Sequence, residues 1–242
     1  MNWIFRAFSS ALLFTFAMTG ASGKAPTELV FDAGAPTALL VIKTDWWQPA
    51  YNMHSAFRLI LSPYDPAQQK VSGAFGGGAV IEAQKKKFVD GYLLVSIKPG
   101  RWAFESYSQQ DKWALCFNAA TLQFDVKPGE VVYLGEFDAS EHRRQLTEQA
   151  VTSGRTTVGG YGFVDFFDLP DGPRIKPIDE PQLAAVQDML RHDVPGVTAP
   201  VRAALYSPAK FGTGSTLFAE RKCGGYFPVG ADPRKTEQGG HG

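Results

Sequence analysis

Twice along this chain a run of strand-forming residues meets the tripeptide Lys-Pro-Gly and resumes at once. The first instance joins residues 92–98, through Pro99 and Gly100, to residues 101–106. The second joins residues 122–127, through Pro128 and Gly129, to residues 130–137. Proline at the second turn position presets φ, and the glycine after it takes the positive φ that a type II turn requires. The repeat therefore predicts hairpins in an antiparallel β-domain. Lys98 and Lys127 occupy the first turn positions and read as architecture rather than as a site.

The surrounding segments extend that reading. Residues 38–43 and 56–62 are rich in β-branched and large apolar side chains, and in the second Phe57, Leu59 and Leu61 face one way. Pro63 and Pro66 close it. Residues 73–78 hold too much glycine for a central strand, but 79–83 and 88–97 resume the pattern, and 112–118 add a strand between the two turns. Leu122, Phe124 and Val126 alternate with Thr121, Gln123 and Asp125, as a half-buried strand requires. Roughly seven or eight short strands with such turns predict a mainly β fold, an antiparallel β-sandwich of transthyretin or immunoglobulin type over residues 24–138.

After Phe137 the character changes, and residues 139–230 read as a mixed extension packed on the sandwich. Residues 140–149 are charged and predict an exposed helix, 152–162 are rich in glycine and threonine, and 163–169 form an apolar strand or docking segment before Asp171-Gly172-Pro173 breaks the chain. A second helix follows. Asp179 with Gln182 makes a capping box, Pro181 sits in the first turn, and Leu183, Val186 and Leu190 share one face. Arg191 and His192 complement the negative helix end before Pro195-Gly196 stops it. The polar tail, residues 231–242, is expected to be disordered.

Residues 1–23 have the features of a signal peptide. Arg6 is the cationic start, residues 7–18 are apolar, and Ala21-Ser22-Gly23 precede an expected cleavage before Lys24. The apolar run falls short of the roughly 20 residues of a membrane span, and no cysteine follows it to receive a lipid. A periplasmic or secreted protein without a transmembrane anchor is expected. Lys plus Arg equals Asp plus Glu, 24 each, and no basic stripe points to nucleic acid. Lys85-Lys86-Lys87 reads as a solvated loop or the guard of an edge strand. In an oxidising compartment the two cysteines, Cys116 and Cys223, are expected to bond, and closing a loop of about 100 residues stabilises by roughly 4–5 kcal/mol on the chain-entropy model.

The stretch 91–102, Gly-Tyr-Leu-Leu-Val-Ser-Ile-Lys-Pro-Gly-Arg-Trp, followed by 124–135, Phe-Asp-Val-Lys-Pro-Gly-Glu-Val-Val-Tyr-Leu-Gly, resembles uncharacterised bacterial envelope domains of small β-sandwich type. Those domains are similar in turn to the PEGA and carboxypeptidase-regulatory-like modules. The resemblance spans residues 38–137 and implies a non-catalytic scaffold or binding module, with no catalytic residues to carry over.

Catalytic patterns fail on spacing. Residues 212–216, Gly-Thr-Gly-Ser-Thr, miss the hydrolase elbow, and Gly76-Gly77-Gly78-Ala79 lacks the lysine and hydroxyl of a phosphate loop. His54, His142, His192 and His241 include no i, i+4 pair for zinc, so neither a metal nor a cofactor is expected. Asp165 with Asp168, and Glu136 with Asp138, read as solvated strand-end acids. The candidate binding residues are Asp45, Trp46, Trp47, Tyr51 and His54 in one loop, and Tyr107, Gln110 and Trp113 in another; aromatic faces beside polar groups stack on sugars or clamp peptides. The expected role is a non-enzymatic exported binding or scaffold protein of the cell envelope, with an envelope protein, peptide or glycan as partner. The alternative is a small envelope hydrolase acting on cell-wall or ester substrates around His54.

Overall fold

The computed structural model describes residues 28–44, 57–72, 79–82, 88–89, 91–109, 113–152, 165–216 and 219–223. The signal-like segment 1–23, the glycine-rich stretch 73–78 and the tail 231–242 lie outside them. Strands β1 (Ala38–Thr44), β2 (Phe57–Asp65), β3 (Lys70–Val71), β4 (Ala79–Glu82), β5 (Phe88–Val89), β6 (Tyr92–Ile97), β7 (Gly100–Gln109), β8 (Trp113–Cys116), β9 (Thr121–Val126) and β10 (Val131–Phe137) precede helix α1 (Ala139–Thr152). Strand β11 (Asp165–Asp168) leads to α2 (Glu180–Asp193), and β12 (Val201–Ala203), β13 (Ser207–Ala209), β14 (Gly214–Thr216) and β15 (Ala219–Lys222) follow. The fold is mainly β, as its strand-forming segments require.

Two sheets face each other. The first has the order β12-β10-β1-β6-β5; the second runs β11-β8-β7-β2-β3, with β4 also on β2 and β9 on β7 carrying β13. Leu40, Ile42, Leu93, Val132 and Leu134 of the first sheet meet Leu59, Leu61, Trp102, Phe104, Leu115 and Phe124 of the second in the main core. Strand β1 is central and covered on both faces, which is why its sequence is a continuous apolar run rather than an alternating one. Leu39 and Val41 turn away from the main core and pack, with Tyr133 of β10, against Val186, Met189 and Leu190 of α2. Each such apolar side chain contributes about 1.5–3 kcal/mol when fully buried. Helix α2 forms as its local signals dictate, with both halves of the Asp179–Gln182 capping box made.

The Lys-Pro-Gly segments join strands in a way their turn chemistry does not reveal. Neither closes a hairpin. Strand β6 belongs to the first sheet and β7 to the second, and β9 belongs to the second while β10 belongs to the first, so both segments carry the chain from one sheet to the other. At the second, Gly129 has φ +72° and the Glu130 N–H lies 3.4 Å from the Lys127 carbonyl, the type II arrangement. At the first, Gly100 has φ +141° and already begins β7, and the Lys98 carbonyl accepts instead from the Trp102 indole at 3.0 Å.

Other expectations shift locally. Residues 88–97 are two strands rather than one, folded back at Gly91 (φ +82°) so that Val89 opposes Tyr92. Pro63 does not end β2; it opposes Trp102 as the last residue paired with β7, and the strand continues to a turn in which Asp65 Oδ1 accepts from the Ala67 and Gln68 N–H groups. The sheets are mixed rather than wholly antiparallel, because β1 with β10, β10 with β12, and β11 with β8 run parallel. Three strands of residues 139–230 are therefore built into the sheets rather than laid on them: β11 extends β8, β12 extends β10 and β13 extends β9.

Candidate functional site

One end of the sandwich carries the anchors of both aromatic loops. Residues 45–56 connect Thr44 of β1 to Phe57 of β2. Phe57 opposes Gln109, the last residue of β7, and Gln109 opposes Trp113, the first of β8. In the other sheet Thr44 pairs with Phe137, whose ring lies 5.5 Å from that of Tyr107, so the ends of β1 and β10 are level with the end of β7. Asp165 opposes Trp113 and Glu82 opposes Arg58, which brings the anchors of segments 153–164 and 83–87 to the same end.

The described side chains at this end form ion pairs. Glu136 lies 3.6 Å from Lys43 Nζ and bonds Lys176 Nζ. The Lys176 bond, chiefly, holds the Glu136 carboxyl below the usual carboxylate range. Lys43 Nζ also sits 6.0 Å over the Tyr92 ring. Asp138 accepts from the Ser140 hydroxyl and N–H, which lowers its pKa as well. Glu141 pairs with Arg144. Such partners favour the ionised form of Glu136 and Asp138, whereas the acid of a glycosidase pair must hold its proton. No group of three or more His, Cys, Asp or Glu among the described residues is placed to hold a metal ion.

Of the residues singled out from sequence, Asp45, Trp46, Trp47, Tyr51, His54 and Gln110 lie outside the described residues. Tyr107 is not in a loop. It is part of β7, fully buried in the main core, in contact with the rings of both Phe137 and His142. Trp113 opens β8, half-buried against that core, and its indole N–H finds no hydrogen-bond partner among the described residues. Cys116 and Cys223 are bonded, with Cα atoms 5.7 Å apart. The bridge lies on the outer face of the second sheet with Tyr64, Ala103 and Phe211.

Two features escaped sequence reasoning. Glu105 is buried and accepts from the Ser62 hydroxyl. It is the extra residue of a bulge in β7, since Leu61 pairs with Phe104 and Ile60 with Ser106. His142 is fully buried on the inner side of α1; the spacing Ala139, His142, Leu146 along one helix face is the signal that carried it. A groove of about 550 Å³ lies between the end of α2 and residues 195–201, lined by Leu190, Arg191, Val197 and Val201. Val201 pairs with Val131 at the start of β10, so this groove is at the end opposite the loop anchors. Compared with family models, curated proteins and solved structures, the chain gave no match.

Proposed function

We propose that the chain is a non-enzymatic binding or scaffold protein of the bacterial cell envelope, exported by residues 1–23 and holding a peptide or glycan on the aromatic-rich segment 45–56 and the adjoining segment 110–112 at one end of its sandwich. The observation that supports this most directly is the register Phe57–Gln109–Trp113, which starts segments 45–56 and 110–112 from adjacent strand ends. Loops on a rigid scaffold are where binding residues concentrate. Trp46, Trp47 and Tyr51 supply flat apolar faces, and Asp45, His54 and Gln110 supply polar contacts to orient a sugar or peptide.

Titration of the mature protein with cell-wall glycan fragments and with envelope peptides is expected to change tryptophan fluorescence saturably with one of the two. Trp46→Ala and Trp47→Ala should each weaken that binding about fivefold or more, a loss of roughly 1–3 kcal/mol for a stacked ring. No saturable response to either panel would refute the binding role. Turnover of cell-wall or ester substrates that disappears in His54→Ala would replace it with the hydrolase alternative.

A further inference from the structure

We infer that His142 is an acid-sensitive latch that holds α1 against the loop-bearing end of the sandwich. Helix α1 is largely polar, and its buried residues are Ala139, His142 and Leu146. The histidine is thus the polar member of a small docking face. Its ring lies against Phe137 of β10 at 5.4 Å between centroids and 18° between planes. It meets Phe117, just beyond β8, edge-on at 5.2 Å, and Tyr107 of β7 at 6.1 Å.

The hydrogen bonds define the protonation state. Nε2 accepts from the Arg174 N–H at 3.1 Å, so it carries no proton, and Nδ1–H is left to donate to Gln145 Oε1 at 3.0 Å. The Arg174 segment is otherwise laced to the end of β10, with Asp138 N–H donating to the Arg174 carbonyl and Lys176 N–H to the Glu136 carbonyl. A proton on Nε2 sets two donors face to face and places a cation among three aromatic rings. The described charged groups that face the ring are Asp138 and Glu141 at the start of α1 and Arg174 from the crossing segment; Tyr107 is the titratable group on β7. Asp138 is engaged with Ser140, and Glu141 with Arg144. Burial, the largest influence, lowers the His142 pKa, and Arg174 adds to it. In the docked state the ring therefore resists protonation, whereas with α1 released it takes up a proton in the ordinary histidine range.

The test is amide hydrogen exchange of the full chain across about pH 8 to pH 5, each amide referred to its intrinsic rate, since a single linked proton changes an opening equilibrium by up to about tenfold per pH unit. Opening of α1 should increase as pH falls through the ordinary histidine range while β1, β7 and β10 keep their protection. His142→Phe should abolish the step. Gln145→Glu should shrink the step, because a carboxylate facing Nδ1–H favours the charged ring in the docked state and so narrows the difference in proton affinity between docked and released α1. Exchange of α1 that does not vary with pH, a step that survives in His142→Phe, or core strands that open together with α1 would each overturn the latch. If His142→Phe does not fold, the Gln145→Glu profile decides, and an undiminished step overturns it.

Discussion

Gly129 and Gly100 occupy equivalent places in identical tripeptides, yet their surroundings differ. A Cβ on Gly129 would lie 2.1 Å from the Ala33 carbonyl oxygen, a backbone atom that cannot swing aside, whereas a Cβ on Gly100 meets nothing within 4 Å. Both have positive φ, so alanine at either is strained by about 1–3 kcal/mol. Only at Gly129 must the chain near Ala33 also shift. Urea denaturation should therefore give a distinctly larger loss for Gly129→Ala than for Gly100→Ala, and equal losses would contradict the close approach. Sequence could identify both glycines as turn residues but not tell them apart, because the clash comes from a segment remote along the chain. Tyr107 was misread for a related reason. Trp102 and Phe104 point into the core, and the extra residue Glu105 shifts the alternation so that Tyr107 points inward too. Ser106 and Ser108 on either side of it are themselves buried.

Among elements, β12 is held at the sheet edge by a side-chain tie as well as by its ladder to β10. Arg202 donates to Glu130 Oε2 at 2.6 Å and to the Asp125 carbonyl at 2.9 Å, and Glu130 also accepts from the Lys127 N–H at 2.8 Å. The Arg202 bond, first, holds the Glu130 carboxyl below its usual range. A carboxylate with a depressed folded pKa stabilises fully above its unfolded value and loses that contribution as pH falls through the folded one. Both side chains are partly exposed, which limits the tie to about 1 kcal/mol. Arg202→Ala should lower the unfolding free energy measured in urea near pH 7 by about that much, and the difference from the parent should narrow as pH falls below the ordinary carboxylate range. A gap that stays constant with pH would remove Glu130 from the explanation. Elements differed in legibility by the range of their causes. Helix α2 was readable to its cap because Asp179, Gln182 and Pro181 act within one turn. The partners of β6, β7, β9 and β10 were not readable, since turn chemistry sets how a chain bends and not which sheet receives it.

The whole molecule is closed by its C-terminal part. Strands β11, β12 and β13 each complete a sheet begun by residues 38–137, and Cys223 is bonded back to Cys116. A fragment ending at Asp138 is expected to be insoluble or to unfold without cooperativity, and a soluble, cooperatively melting fragment would show the first part to be an independent domain. Replacing both cysteines by serine should cost up to roughly 4–5 kcal/mol if the chain-entropy model holds, read as a lower urea midpoint that reductant no longer changes. The bond was legible because two cysteines allow a single pairing. Of the proposed site only the anchors can be compared, because β2, β7 and β8 place the ends of segments 45–56 and 110–112 while six of the residues singled out lie outside the described residues.

The parallel placement of β11 and β12 has a consequence in time. A chain synthesised amino end first presents β8 and β10 before residues 165–203 arrive to cover them. During that interval their free backbone groups are open to strands of other chains. The speed of synthesis relative to collapse then decides how much of the protein reaches the closed state.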